Sequence, residues 1–272
     1  MTEPQWQAFR RFRDEFRAQC AAWNDAYADK LGPLQAAAAQ KDTPPYPLET
    51  AVVYNRALDD VTAQSRITYI VIGDNPGKDE QRTHNNRYLV GQSGKIAQGF
   101  FARHPDFATD FRTNVIILNK TPVHTAKTAH LRAVARHGGE RIRALLVESQ
   151  LWMAQKTAAL HRALYAAADG SPTAPAPELW LVGYTELRPH GLFERYRDAL
   201  KAAYTDDAPP DASAAPHCAA WNAVRVYRHF SMNQFLIELR TERATTAAEP
   251  AAEPIAQTLA RIGVRHRQEL FD

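Results

Sequence analysis

Two asparagines, an aspartate and a histidine stand where apolar runs of this chain stop. Ile67–Ile72 leads into the tight turn Gly73-Asp74-Asn75-Pro76-Gly77, and Val115–Leu118 leads into Asn119-Lys120-Thr121-Pro122. Ala223–Arg228 leads into His229-Phe230-Ser231-Met232-Asn233. Carboxylate, amide and imidazole are the side chains that trade hydrogen bonds and protons with a bound ligand. In the first turn, Gly73 and Gly77 are expected to let the backbone bend sharply and approach a ligand. Pro76 fixes its own φ and keeps Asn75 out of helix.

These groups meet only if the runs are neighbouring strands. Four strands are expected, at Ile67–Gly73, Thr113–Asn119, Glu178–Gly183 and Ala223–Arg228. Helical sequence separates them, at Ser93–Arg103, Gly139–Ala168 and Pro189–Tyr204. That alternation predicts an α/β fold, a three-layer α/β/α arrangement around a central four-stranded parallel sheet. All four strand ends then share one edge, the edge where such sheets bind ligands. A further helix is expected over 4–30, because Trp6, Phe9, Phe12, Phe16, Cys20, Trp23 and Tyr27 recur at helical spacing. Gly170–Pro177 and Asp206–Pro216 read as exposed loops and Thr241–Pro254 as a linker. Ile255–Leu270 reads as a last helix. Residues 1–60 are thus a helical extension packed on a core at 61–242, followed by a linker and helix at 243–272.

The segment Arg87-Tyr88-Leu89-Val90-Gly91-Gln92-Ser93-Gly94-Lys95 resembles a phosphate loop but fails its spacing. Two residues separate the glycines, and Ile96 follows the lysine, which argues against a nucleoside triphosphatase. What remains is a helix start with Ser93 as its expected cap, where free N–H groups could hold a phosphodiester oxygen.

Composition narrows the options. The 272 residues carry two cysteines, Cys20 and Cys218, too few for a four-cysteine metal site or a disulfide framework. A reduced, cytoplasmic setting is expected. No membrane span or signal peptide is expected. Net charge is only +3, but Arg112, Lys120, Lys127, Arg132, Arg136, Arg141 and Arg143 crowd one stretch that holds the single acid Glu140. Such a field suits a polyanion. His124 and His130 lack ligand spacing, so no metal or other cofactor is expected.

Gly-Asp-Asn-Pro-Gly, then Leu-Val-Gly-Gln-Ser-Gly, then Ile-Ile-Leu-Asn, then His-Phe-Ser resembles the uracil-DNA glycosylase superfamily, in order and in strand-end placement, over roughly residues 65–240. The Val-Gly-Gln-Ser-Gly run is similar to the bacterial iron–sulfur branch, but two cysteines cannot hold that branch's cluster. Phe230 replaces the proline usual after the histidine.

The resemblance implies a monofunctional DNA glycosylase acting on uracil or a related deaminated base, in single-stranded DNA or flipped from a duplex. A glycosylase for another lesion such as hypoxanthine, or a DNA-binding member without catalysis, are the alternatives. Asp74, Asn75 and His229 would be catalytic. Either Asp74 or Asn75 would position water, and a neutral His229 would donate to the departing base. Asn119 would read the base edge, with Gly73, Pro76, Gly77, Tyr88 and Leu89 around it and Tyr88 or Leu89 packing on the base. Gly91, Ser93, Lys95, Lys120, Ser231, Met232 and Asn233 would contact DNA, Met232 as a wedge. DNA is the expected partner and the monomer the expected state.

Overall fold

In the computed structural model, which describes residues 1–205, 216–246 and 253–272, four strands form one sheet. They are β1 (Tyr69–Gly73), β2 (Val115–Asn119), β3 (Glu178–Val182) and β4 (Val224–Tyr227). All pairings are parallel and the order is β2-β1-β3-β4. Every residue of β2 is buried, as expected for a parallel strand covered on both faces. Helices flank the sheet, consistent with three layers α/β/α. The expected strands are all present, each trimmed by one or two residues at its ends.

Among the described residues the helices are α1 (Glu3–Gln40), α2 (Gln92–Arg103), α3 (His130–His137), α4 (Gly139–Ala166), α5 (Tyr184–Leu187), α6 (Glu194–Thr205), α7 (Pro216–Asn222), α8 (Gln234–Thr246) and α9 (Ile255–Phe271). α1 starts in a capping box, with Thr2 and Gln5 each accepting the other's backbone N–H. It runs ten residues past the expected Lys30 end, with Pro33 inside it. The extra turns carry Gln35, whose amide donates to the carbonyls of Ala51 and His124, so tertiary bonds offset the one that proline removes.

α8 covers the start of the segment expected as a linker, and most of the Asp206–Pro216 loop lies outside the described residues. The expected Pro189–Tyr204 helix begins only at Glu194, after the short α5 and a turn through His190, whose φ of 66° is left-handed.

α1 lays Phe9, Phe12, Phe16, Cys20 and Trp23 into the one hydrophobic core, packed against α3 and α4. Phe16 stacks on Trp152 of α4 at 5.9 Å and meets Tyr54 at 5.5 Å. Phe16→Ala should therefore destabilise the whole domain by about 3–5 kcal/mol, read as a lower urea midpoint in a single transition. Two separated transitions would mean that α1 melts independently.

Candidate functional site

The connection from β1 runs to one side of the sheet and that from β3 to the other. The junction between their ends is the topological switch point, the place whose crevice holds ligands in open parallel sheets. Asp74 follows β1 there and Gly183 follows β3.

The crevice is organised by Lys120. Expected on a DNA-facing surface, it is instead completely buried. Its Nζ donates to Asp74 Oδ1 at 2.6 Å, to Gly73 O at 3.3 Å and to Val182 O. The Phe193 ring lies 5.0 Å from the ammonium. Three acceptors saturate the ammonium's three protons, so Lys120 cannot reach a phosphate; that expectation is overturned. Burial pulls its pKa below the usual lysine value, opposed by the charge of Asp74. One side chain just past β2 thus ties together the ends of β1 and β3.

Gly183 makes room for this pair. Its φ is 97°, and a Cβ there would lie 2.5 Å from Asp74 Oδ1 and 3.1 Å from Lys120 Nζ. Gly73 is needed for a related reason: a Cβ would lie 2.5 Å from Asn119 Oδ1, its register partner across β1 and β2. Gly77 departs from expectation, since its φ is not left-handed and nothing crowds its Cβ position.

Asp74 and Asn75 diverge. The second carboxylate oxygen of Asp74 lies 3.4 Å from the Thr128 hydroxyl. Asn75 Nδ2 donates to Thr125 Oγ1 at 2.9 Å and more weakly to Val123 O, pinning the turn to the loop after β2. Behind it, His124 is buried with Nδ1 2.8 Å from Pro76 O and Nε2 2.9 Å from the Tyr46 hydroxyl. Burial lowers the His124 pKa to about 4. The neutral ring therefore donates from Nδ1 to Pro76 and accepts from Tyr46.

Asn119 is 1% exposed, and its Nδ2 has no hydrogen-bond partner. An orphaned buried donor costs about 1–3 kcal/mol, and here it sits at the C-terminal end of β2. His229 is half-buried. Its Nδ1 accepts the backbone N–H of Ser231 at 3.0 Å and lies 2.8 Å from the Ser231 hydroxyl. The ring proton is therefore on Nε2. Burial lowers the His229 pKa, Asp74 opposes that, and Lys120 adds to it, so the imidazole is neutral at pH 7. Phe230 is fully buried against Phe235, ring centres 4.8 Å apart, and anchors the loop where a proline was expected.

The other sequence-derived residues divide. Met232 is 82% exposed on a left-handed turn with Asn233, and this turn packs against α2. Lys95 is exposed on α2. Ser93 is not the cap of α2; Gly91 holds that position and Ser93 lies in the first turn. Tyr88 and Leu89 belong to the core at 1% and 4% exposure, with the Tyr88 hydroxyl bonded to Val53 O. Leu89 has a φ of 51°. Gly94 permits that fold, since a Cβ there would overlap the Leu89 carbonyl.

The basic stretch is also thinner than its sequence suggests. Arg112 donates to Leu89 O, Lys127 pairs with Asp42 and Arg132 with Glu186, and Arg141 lies over Tyr27.

No protein-family model, no curated protein and no solved structure matches this chain. Its chemistry therefore rests on the geometry just described.

Sequence reading missed Lys120 as a partner for Asp74, and it missed Glu80. The Glu80 carboxylate accepts the backbone N–H of Gly77 at 3.2 Å and is bonded by the backbone of Leu89, joining two loops of the site. The only signal was Gly-Lys-Asp-Glu, acids placed three residues after a turn.

Two predictions follow from these buried charges. Lys120→Met leaves Asp74 buried without its cation and should cost about 3–5 kcal/mol. Asp74→Leu added to it should restore most of that loss in urea unfolding. Burial raises the Glu80 pKa from 4.5 to about 7. The folded state then holds the proton more tightly, so this contribution is complete below about pH 4.5 and is lost as pH rises through 7. The contribution of Glu80 should fall by on the order of 3 kcal/mol across that window, while the buried neutral His124 contributes in the opposite sense. The stability difference between the parent chain and Glu80→Gln should shift by on the order of that amount between urea melts at pH 5 and pH 8, because the histidines titrate alike in both.

Proposed function

We propose that this chain is a DNA glycosylase that hydrolyses the N-glycosidic bond of uracil, or of a related deaminated base, in DNA. The observation that carries the reading is the fixed state of His229: a neutral imidazole with its proton on Nε2, on the same sheet edge as Asp74 and Asn119. The transition state of such a hydrolysis places positive charge on the sugar and negative charge on the leaving base. A neutral N–H donor aimed at the base oxygen stabilises the developing anion without giving up its proton. One such donor is typically worth on the order of 10²–10³ in rate.

The opposite side of the reaction needs an acceptor for water. Asp74 Oδ2 fits, because Oδ1 is held by Lys120 while Oδ2 has only the distant Thr128 hydroxyl. Asn75 spends its amide N–H on Thr125 and acts through the shape of the turn. Water then adds through its oxygen to the sugar carbon, the bond to the base nitrogen breaks, and the water's proton leaves by way of the carboxylate. Asn119 supplies the unsatisfied amide donor for a base carbonyl, with its Oδ1 as acceptor for a ring N–H. A base with the reversed pattern leaves buried groups unpaired, which discriminates strongly.

One observation favours a second reading, a DNA-binding protein of this fold without catalysis. The ammonium of Lys120 offsets the charge of Asp74, weakening it as a partner for a cationic sugar.

Incubation with a uracil-containing oligonucleotide in EDTA, followed by alkaline cleavage of abasic sites, separates the two. The expected result is strand cleavage, with His229→Ala lowering the single-turnover rate on the order of 10²–10³. DNA binding with no cleavage of single- or double-stranded uracil substrate, nor of strands carrying hypoxanthine in its place, would leave only the second reading.

A further inference from the structure

A cavity of about 520 Å³ opens beside the His229 loop, bounded by α5, α8 and α9. Arg228, the residue before His229, and Gln234, at the end of its loop, both line it, with Tyr184 and Arg188 on the β3 side. We propose that this cavity is a subsite for a backbone phosphodiester of the DNA strand, next to the nucleotide held in the crevice. The proposal rests on the glycosylase reading for its substrate, a polyanion, but its site is separate from the reacting groups.

The charges in the cavity are not equally free. Glu238 is engaged by His266 Nε2 at 3.0 Å, Glu242 by Arg265 at 2.7 Å and by Arg261 at 2.8 Å, and Glu269 by the Tyr184 hydroxyl at 2.7 Å. Arg188, by contrast, is exposed and has no ion-pair partner among the described residues. Arg228 is 47% exposed and held only by a long ion pair, its Nε 3.5 Å from Glu238. One guanidinium is therefore free and a second is loosely held, and guanidinium is the side chain best shaped for phosphate oxygens.

The His266 ring adds a third feature. It is 4% exposed and stacked 4.3 Å from Tyr184, and its Nδ1 is buried without a partner.

Position also matters. Met232, the most exposed large apolar side chain described, stands on the loop between Arg228 and Gln234. A strand crossing that loop with one nucleotide turned into the crevice brings its neighbouring phosphate over Arg188 and Arg228.

The test is binding of the full chain to a fluorescein-labelled oligothymidine, followed by anisotropy across a potassium chloride series. Undamaged thymidine strands make the readout independent of excision. Each lost phosphate contact on a single strand should lower the slope of log affinity against log salt by about 0.7. Arg188→Ala/Arg228→Ala is expected to lower it by roughly 0.7–1.4 and to weaken binding. Arg188→Lys/Arg228→Lys should restore most of the slope. Arg11→Ala/Lys30→Ala, with the same charge change at exposed α1 positions, should leave it unchanged.

An unchanged slope in the first variant, an equal fall in the α1 control, or no DNA binding by the parent chain would each overturn the subsite. Uracil excision with an unchanged slope would sink the subsite alone. A reduced slope without excision would uphold the subsite and remove the glycosylase reading.

Discussion

The buried contact between Lys120 and Asp74 sets the geometry of the whole sheet edge. Taking a carboxylate and an ammonium out of water costs several kcal/mol each, and their attraction repays that only when the remaining hydrogen-bonding capacity is also filled. Here the ammonium has three acceptors drawn from the ends of β1 and β3. It is therefore both a counterion and a clamp. The clamp explains a glycine that otherwise has no purpose: Gly183 must lack a side chain because the ion pair occupies the place a Cβ would take. It also fixes the Asp74 carboxylate, with one oxygen held and the other left open.

A second set of bonds holds the Asp74–Gly77 turn from behind. Gln35 reaches from α1 to the carbonyls of Ala51 and His124, Tyr46 bonds to the His124 ring, and that ring bonds to the Pro76 carbonyl. Gln81 adds bonds to the backbone of Glu49, Thr50 and Pro47. The first fifty residues are thus structural support for the site rather than an appended piece. The unusual length of α1 has the same origin, because its last turns carry Gln35 to the loop.

The framework was legible because it follows from periodicity. Short β-branched runs between helical segments gave all four strands, and parallel pairing then put Asp74, Asn119 and His229 on one edge. The supporting contacts were not legible because they run against residue averages. Lysine is almost never fully buried, so Lys120 in a basic stretch reads as surface. Tyr88 sits in a loop-like sequence yet is held in the core by a bond to Val53. Ser93 is the better capping residue by type, but Gly91 takes the position because Leu89 turns through a left-handed φ and its carbonyl packs over Gly94. α3 is only eight residues long, and α8 merges into an alanine- and threonine-rich stretch, so neither announced itself by pattern.

The electrostatics of the edge also bear on how the proposed reaction would divide its work. A lone buried aspartate would raise the pKa of a nearby histidine and favour imidazolium. Lys120 opposes that influence and adds to burial in keeping His229 neutral. The Ser231 amide then decides the tautomer, because Nδ1 can accept that N–H only when it carries no proton. The lysine thereby acts on both sides of the proposed chemistry: it moderates the anion that would face the sugar, and it keeps the imidazole a donor rather than an acid. A site so arranged depends on fixed dipoles more than on bare charge, which suits a reaction whose charge separates only in the transition state.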